Sequence, residues 1–130
     1  MTDKSLFLLI DDDPDDLMLL KDAIHSIDDT IQFAEAMDGR SALTYLRNKE
    51  PDALPSLIVL DINMPVMNGR ELLAIIKNDD KLKKLPVIIL STSSYPGDID
   101  YCKQYNVELI SKPYGINELV EISRKLIDYI

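Results

Sequence analysis

The stretch "FLLIDDDPDD", Phe7 to Asp16, ends an apolar run in Asp11, Asp12, Asp13, Asp15 and Asp16, and like charges this close repel one another. Comparable polar groups follow other apolar runs. Asp61 follows "LIVL", Ser91 and Thr92 follow "VIIL", and Lys112, just before Pro113, follows "VELIS". Carboxylates, hydroxyls and one ammonium are the groups that would surround a small charged ligand. Convergence of Asp11, Asp12 and Asp61 without a cation would be strongly unfavourable, so either their pKa values rise or a divalent metal neutralises them. An oxygen-only set with no histidine in the motif points to Mg2+, with Mn2+ able to substitute, rather than to zinc.

Part of the acidic run has an ordinary explanation. Pro14 suits the first turn of a helix, Asp13 suits its cap, and Asp15 and Asp16 fall near the positive end of its dipole. That account leaves Asp11 and Asp12 unexplained, because they precede the cap. A metal site is the economical reason for them. Asp61 beside such a metal, with a hydroxyl and Lys112 opposite, is set up as a nucleophile toward phosphorus. The metal and the lysine would disperse phosphoryl charge, and the hydroxyl would donate to a phosphoryl oxygen. The product would be an aspartyl phosphate at Asp61.

These groups need elements to hold them. Short apolar runs alternate with segments of helical spacing, which is the pattern of an α/β domain. The runs at 6–10, 57–60 and 87–90 read as central strands covered on both faces, and the mixed runs at 31–36 and 107–110 as edge strands. Leu17, Leu20, Ile24 and Ile27 share one helical face. Leu43 and Leu46 share a second, Leu72, Leu73 and Ile76 a third, and Leu119, Val120, Leu126 and Ile127 a last. The segment "PGDIDYCKQYN" is the least apolar of the helices and the best candidate for a mobile element. Five strands alternating with five helices imply a parallel sheet between two helical layers, a flavodoxin-like (βα)5 sandwich of order 2-1-3-4-5. Ligands in such sheets bind beyond the carboxyl ends of the strands, where the winding reverses.

Composition narrows the class. A chain of 130 residues, 46% hydrophobic, suits one domain over 1–130. A net charge of -9 argues against nucleic acid or an anionic membrane as partner. No run approaches a membrane span or a signal peptide, so a soluble cytoplasmic protein is expected. The lone Cys102 reads as packing, and His25, off the apolar stripe of its helix, as a surface residue.

The motifs "LFLLIDDDP", "LIVLDINMPVMNG", "PVIILSTSS" and "LISKPYGINEL" resemble, in order and over the whole length, the response regulator receiver domain of two-component signalling. The resemblance implies that Asp11 and Asp12 bind Mg2+, with Asp12 the more direct ligand. It makes Asp61 the phosphoacceptor and adds the backbone carbonyl of Asn63 to the metal set. Ser91 matches the switch hydroxyl, and Lys112 the lysine that pairs with the phosphoryl group. The Lys112–Pro113 bond is expected to be cis, as it often is in the family. The expected donor is a histidine kinase or phosphotransfer protein, and the effect passes to an unknown downstream protein without a fused output domain. The long loops are similar to those of stand-alone, phytochrome-associated regulators and hint at a homodimer through the fourth helix, fifth strand and fifth helix. One position departs: receivers commonly carry Tyr or Phe where Leu109 stands. Tyr101, Tyr105 and Tyr114 lie nearby and read as ordinary half-buried tyrosines.

Three rivals are weaker. A small phosphatase of the haloacid dehalogenase kind would pair Asp11 with Asp13, but Pro14 follows and no cap domain is available. A degenerate receiver is disfavoured by the complete set of site residues, and a nucleotide-binding protein by the lack of a glycine-rich phosphate loop.

Overall fold

The computed structural model describes residues 5–64, 66–92, 96–113 and 115–130. Tyr114 lies outside these residues. Strands and helices alternate as β1 (Leu6–Ile10), α1 (Pro14–His25), β2 (Gln32–Ala36), α2 (Gly39–Arg47), β3 (Leu57–Leu60), α3 (Gly69–Lys77), β4 (Val87–Ser91), α4 (Pro96–Gln104), β5 (Glu108–Ser111) and α5 (Ile116–Ile127). The strands form one parallel sheet in the order β2-β1-β3-β4-β5, as the apolar runs imply.

Alternation along the strands builds the three layers. Phe7 and Leu9 of β1 pack with Leu17, Leu20 and Ile24 of α1 and Leu126 of α5. Leu8 and Ile10 face the other way, toward Ala42 and Leu46 of α2 and Leu72, Leu73 and Ile76 of α3. Because both faces are covered, β3 and β4 are buried along their whole length. The edge strand β2 instead exposes Gln32 and Glu35.

Hydrogen bonding carries this register into the polar strand ends. Ile10 pairs with Leu60 and Ser91 with Ser111. Beyond these pairs the Asp11 N–H donates to Ala36 O at 3.0 Å, the Asp61 N–H to Ile10 O at 2.9 Å, and the Lys112 N–H to Ser91 O at 2.9 Å. The backbones of Asp11, Asp61 and Lys112 are thus fixed by the sheet rather than left to loops.

Two helix starts complete the frame. Asp13 caps α1, its Oδ1 accepting from the N–H groups of Asp15 at 2.9 Å and Asp16 at 3.4 Å, with Pro14 in the first turn. At α3 the Asn68 side chain accepts from the Glu71 N–H and the Glu71 carboxylate accepts from the Asn68 N–H, a reciprocal cap. The next residue, Gly69, sits against the chain that carries Asp61. A Cβ there would lie 2.4 Å from Asp61 O and 2.7 Å from Ile62 Cα. Gly69→Ala therefore forces apart two backbones that cannot yield by a rotamer change. The expected cost is about 1–3 kcal/mol, read as a lower urea midpoint at unchanged slope; a midpoint equal to that of the native protein would mean α3 is free to shift.

Candidate functional site

Asp11, Asp12 and Asp61 each offer a carboxylate oxygen, and these atoms lie within 4.8 Å of one another. Asp11 and Asp61 are buried at the sheet end, whereas Asp12 is exposed at the rim. From the far side Lys112 reaches in. Its Nζ donates to Asp11 Oδ2 at 2.7 Å, Asp16 Oδ2 at 2.8 Å and Asp61 Oδ2 at 3.2 Å. The other oxygen of Asp61 accepts from Ser91 Oγ at 2.9 Å and from the Asn63 N–H at 3.1 Å. Asp11 Oδ1 accepts from the Asp13 N–H at 3.0 Å.

Asp11, Asp12, Asp16 and Asp61 carry more negative charge than one ammonium can balance. Burial pushes the Asp11 carboxyl above its usual range, and the charge of Asp61 adds to this, against the Lys112 hydrogen bond and the Asp13 amide. Burial alone would pull Lys112 down. Its hydrogen bonds to Asp11 and Asp16 and the charges of Asp61 and Asp11 outweigh that, and hold it above its ordinary value. The donor set is all oxygen and overall anionic, which suits a hard divalent cation such as Mg2+ or Mn2+.

The structure brings Asp11, Asp12, Asp61, Ser91 and Lys112 together and places the Asn63 amide beside them. Thr92, next to Ser91, is exposed. Two expectations change. No peptide bond among the described residues is cis, so Lys112–Pro113 is trans. Trans is intrinsically favoured at X–Pro by about 0.5–1 kcal/mol, and from it the ammonium already reaches three carboxylates. Asp16, expected only to complement the helix dipole, is a member of the site through Lys112. Asp13, by contrast, uses its Oδ1 to cap α1, as expected.

A second polar cluster escaped the sequence reading. Asp98 of α4 is buried and lies 3.6 Å from Arg70 of α3. The Arg70 guanidinium stacks on the Tyr101 ring at 4.6 Å, and the Tyr101 hydroxyl donates to Arg70 O at 2.8 Å. Cys102 is the buried apolar residue of α4, and burial pushes its thiol up, as suits a packing role. Leu109 is half-buried against the same core. His25 is exposed, as expected, with Nε2 2.8 Å from Ile31 O and its ring on Phe33.

Residues 7–124 match the family described as the response regulator receiver domain. The chain belongs to that family. It is a receiver of the two-component response regulator type, and its fold is found in solved relatives. The phosphorylated cyanobacterial phytochrome response regulator RcpA superposes with a TM-score of 0.88 at 32% identity, covering 98% of this chain and 94% of that one. The Mn2+-bound form of response regulator Rcp1 gives 0.83 at 27% identity, covering 93% and 90%. In sequence, the receiver is 31% identical over 131 aligned positions to FilR2 of Methanothrix harundinacea, which carries the name of a methanogenesis regulatory protein, across 98% of this chain and 84% of that one. No helix among the described residues is long and apolar enough to cross a membrane.

Proposed function

We propose that this receiver is a phosphorylation-dependent switch in which Asp61 accepts a phosphoryl group from a phosphohistidine on a histidine kinase or phosphotransfer protein. The observation that carries this reading is the pair of contacts on the buried Asp61 carboxylate, Ser91 Oγ on one oxygen and Lys112 Nζ on the other. An Asp61 oxygen forms the new O–P bond as the donor's N–P bond breaks, and the leaving imidazole keeps the electron pair and takes up a proton. Lys112 and Ser91 then donate to phosphoryl oxygens, where preorganised donors are worth most. Asp11, Asp12, Asp61 and the Asn63 carbonyl would hold Mg2+ or Mn2+. When bound, the cation supplies positive charge against the crowded carboxylates and the phosphoryl oxygens. The Mn2+-bound Rcp1 and the phosphorylated RcpA support these two parts of the reading.

The receiver acts as a switch more than as an enzyme: it assists its own phosphorylation and hydrolysis, and the added charge shifts an equilibrium that alters affinity for a downstream protein. Residues 1 to 130 work as one receiver domain in the cytoplasm. Leu109 offers no ring to turn inward, so the change passes from Ser91 toward α4 and the α4–β5–α5 face, where a homodimer would also form. Intact mass after incubation with acetyl phosphate or phosphoramidate tests the chemistry. One Mg2+-dependent phosphoryl adduct, lost in Asp61→Asn, is expected. A folded native protein that takes up no phosphoryl group under any condition would overturn the reading in favour of phosphorylation-independent binding.

A further inference from the structure

We propose that Asp16 competes with the phosphoryl group for Lys112, holding the ammonium in the unphosphorylated receiver and releasing it when Asp61 is modified. The inference rests on the phosphoacceptor reading of Asp61. An ammonium has three N–H donors, and Asp11, Asp16 and Asp61 take all three, the Asp16 bond at 2.8 Å being shorter than the 3.2 Å bond to Asp61. Asp61, which makes the longest of the three bonds, gives the lysine up when its carboxylate is phosphorylated, but the ammonium can follow the phosphoryl oxygens outward only if Asp11 or Asp16 also loosens its hold. Asp11 is poorly placed to do so, because its side chain is 10% exposed and it is one of the clustered cation donors. The Asp16 side chain is 39% exposed, so water can replace the lysine on its oxygens.

Asp16 is also surplus to the cation site. The oxygen cluster comprises Asp11, Asp12 and Asp61, and Asp16 faces it from the first turn of α1, anchored by its own N–H on the Asp13 cap. It contributes one more negative charge where a phosphoryl dianion has to arrive. Beside the lysine stem lies a cavity of about 130 Å³ bordered by Asp16, Leu20, Pro113 and Leu119.

The test is beryllofluoride, a stable mimic of the phosphoryl group, titrated in Mg2+ onto the native receiver, Asp16→Asn and Asp15→Asn. Asp15→Asn removes the same charge from a neighbouring carboxylate that is not among the partners of Lys112. Asp16→Asn should bind beryllofluoride about fivefold more tightly, the upper range for a competing, partly exposed ion pair. It should also form the acetyl phosphate adduct faster, while its Mg2+ affinity moves no more than that of Asp15→Asn and its melting temperature in chelator falls by a few degrees at most, as loss of the resting ion pair requires. A purely structural role would change the melt and leave the split between Mg2+ and beryllofluoride affinity untouched. Equal affinities in the two variants would overturn the competition, as would weaker binding by Asp16→Asn, which would mean that Asp16 aims the lysine productively. If the native receiver itself takes neither beryllofluoride nor a phosphoryl group, the failure lies with the phosphoacceptor reading.

Discussion

Lys112→Ala will lower the rate of Asp61 phosphorylation by acetyl phosphate about 100- to 1,000-fold, the usual loss when one preorganised donor to a developing charge is removed. It will also destabilise the metal-free domain. The native ammonium answers two carboxylates whose side chains are 10% and 7% exposed, Asp11 and Asp61. Removing one partner of a buried charge pair costs about 3–5 kcal/mol. The lower end applies here, because Asp16 can turn to water and Asp11 can take up a proton. Urea unfolding in chelator measures the second effect and adduct formation the first. Saturating Mg2+ should return much of the stability and little of the rate, since a cation among the acidic residues replaces the charge of Lys112 but not its position on the phosphoryl group. A variant as stable as the native protein in chelator would mean that these carboxylates are solvated and independent of the lysine.

The second large effect is that of Mg2+ itself. At a hundredfold excess over its Kd a ligand confined to the folded state contributes about 2.7 kcal/mol, which for a domain of this size corresponds to a rise in melting temperature on the order of 10 °C. The pH dependence gives the effect a signature. Folded Asp11 titrates above the unfolded value, so the folded state binds a proton more readily than the unfolded chain. Its contribution to metal-free stability therefore grows as pH falls through its titration and is lost as pH rises. Protons and Mg2+ compete for the same oxygens, so the gradient contributed by Asp11 should reverse when the metal is present. Subtracting the Asp11→Asn curve from that of the native receiver, from neutral pH down through the carboxylate range, isolates this part. A Mg2+-independent melting temperature, or a difference curve with one slope in both buffers, would remove the metal site from the account.

The legible parts of the molecule were those that repeat a local rule. "LFLLI", "LIVL" and "VIIL" announce covered strands because both faces are buried. Once strand order is known, the residues just beyond their ends must lie together. Asp13 was legible as a cap for the same local reason. Asp16 was not, because a good local explanation, the helix dipole, sufficed for it. Its partner Lys112 is distant in sequence and meets it only after α1 and α5 pack side by side on one face of the sheet. The clue in the sequence was a surplus, more carboxylates at one strand end than a cation and a cap can use. The Arg70, Asp98 and Tyr101 cluster was hidden likewise, since an aspartate in a weakly apolar helix looks solvated until α3 supplies its arginine.

The grip on Lys112 also governs what kind of nucleophile the site presents. An amine attacks an acyl group only in its neutral form, and here the ammonium is held above its ordinary pKa with each of its protons engaged. Small acyl phosphates carry both a phosphoryl and an acyl group. At exposed amines such as Lys83 and Lys84 the acyl carbon is open to attack, whereas at the sheet end the amine is silent and the carboxylates, Asp61 being the proposed acceptor, are left to react. On the proposed function, the domain would thereby separate acylation from phosphorylation by position, and Lys112 would not be consumed by the reagent that delivers the phosphoryl group.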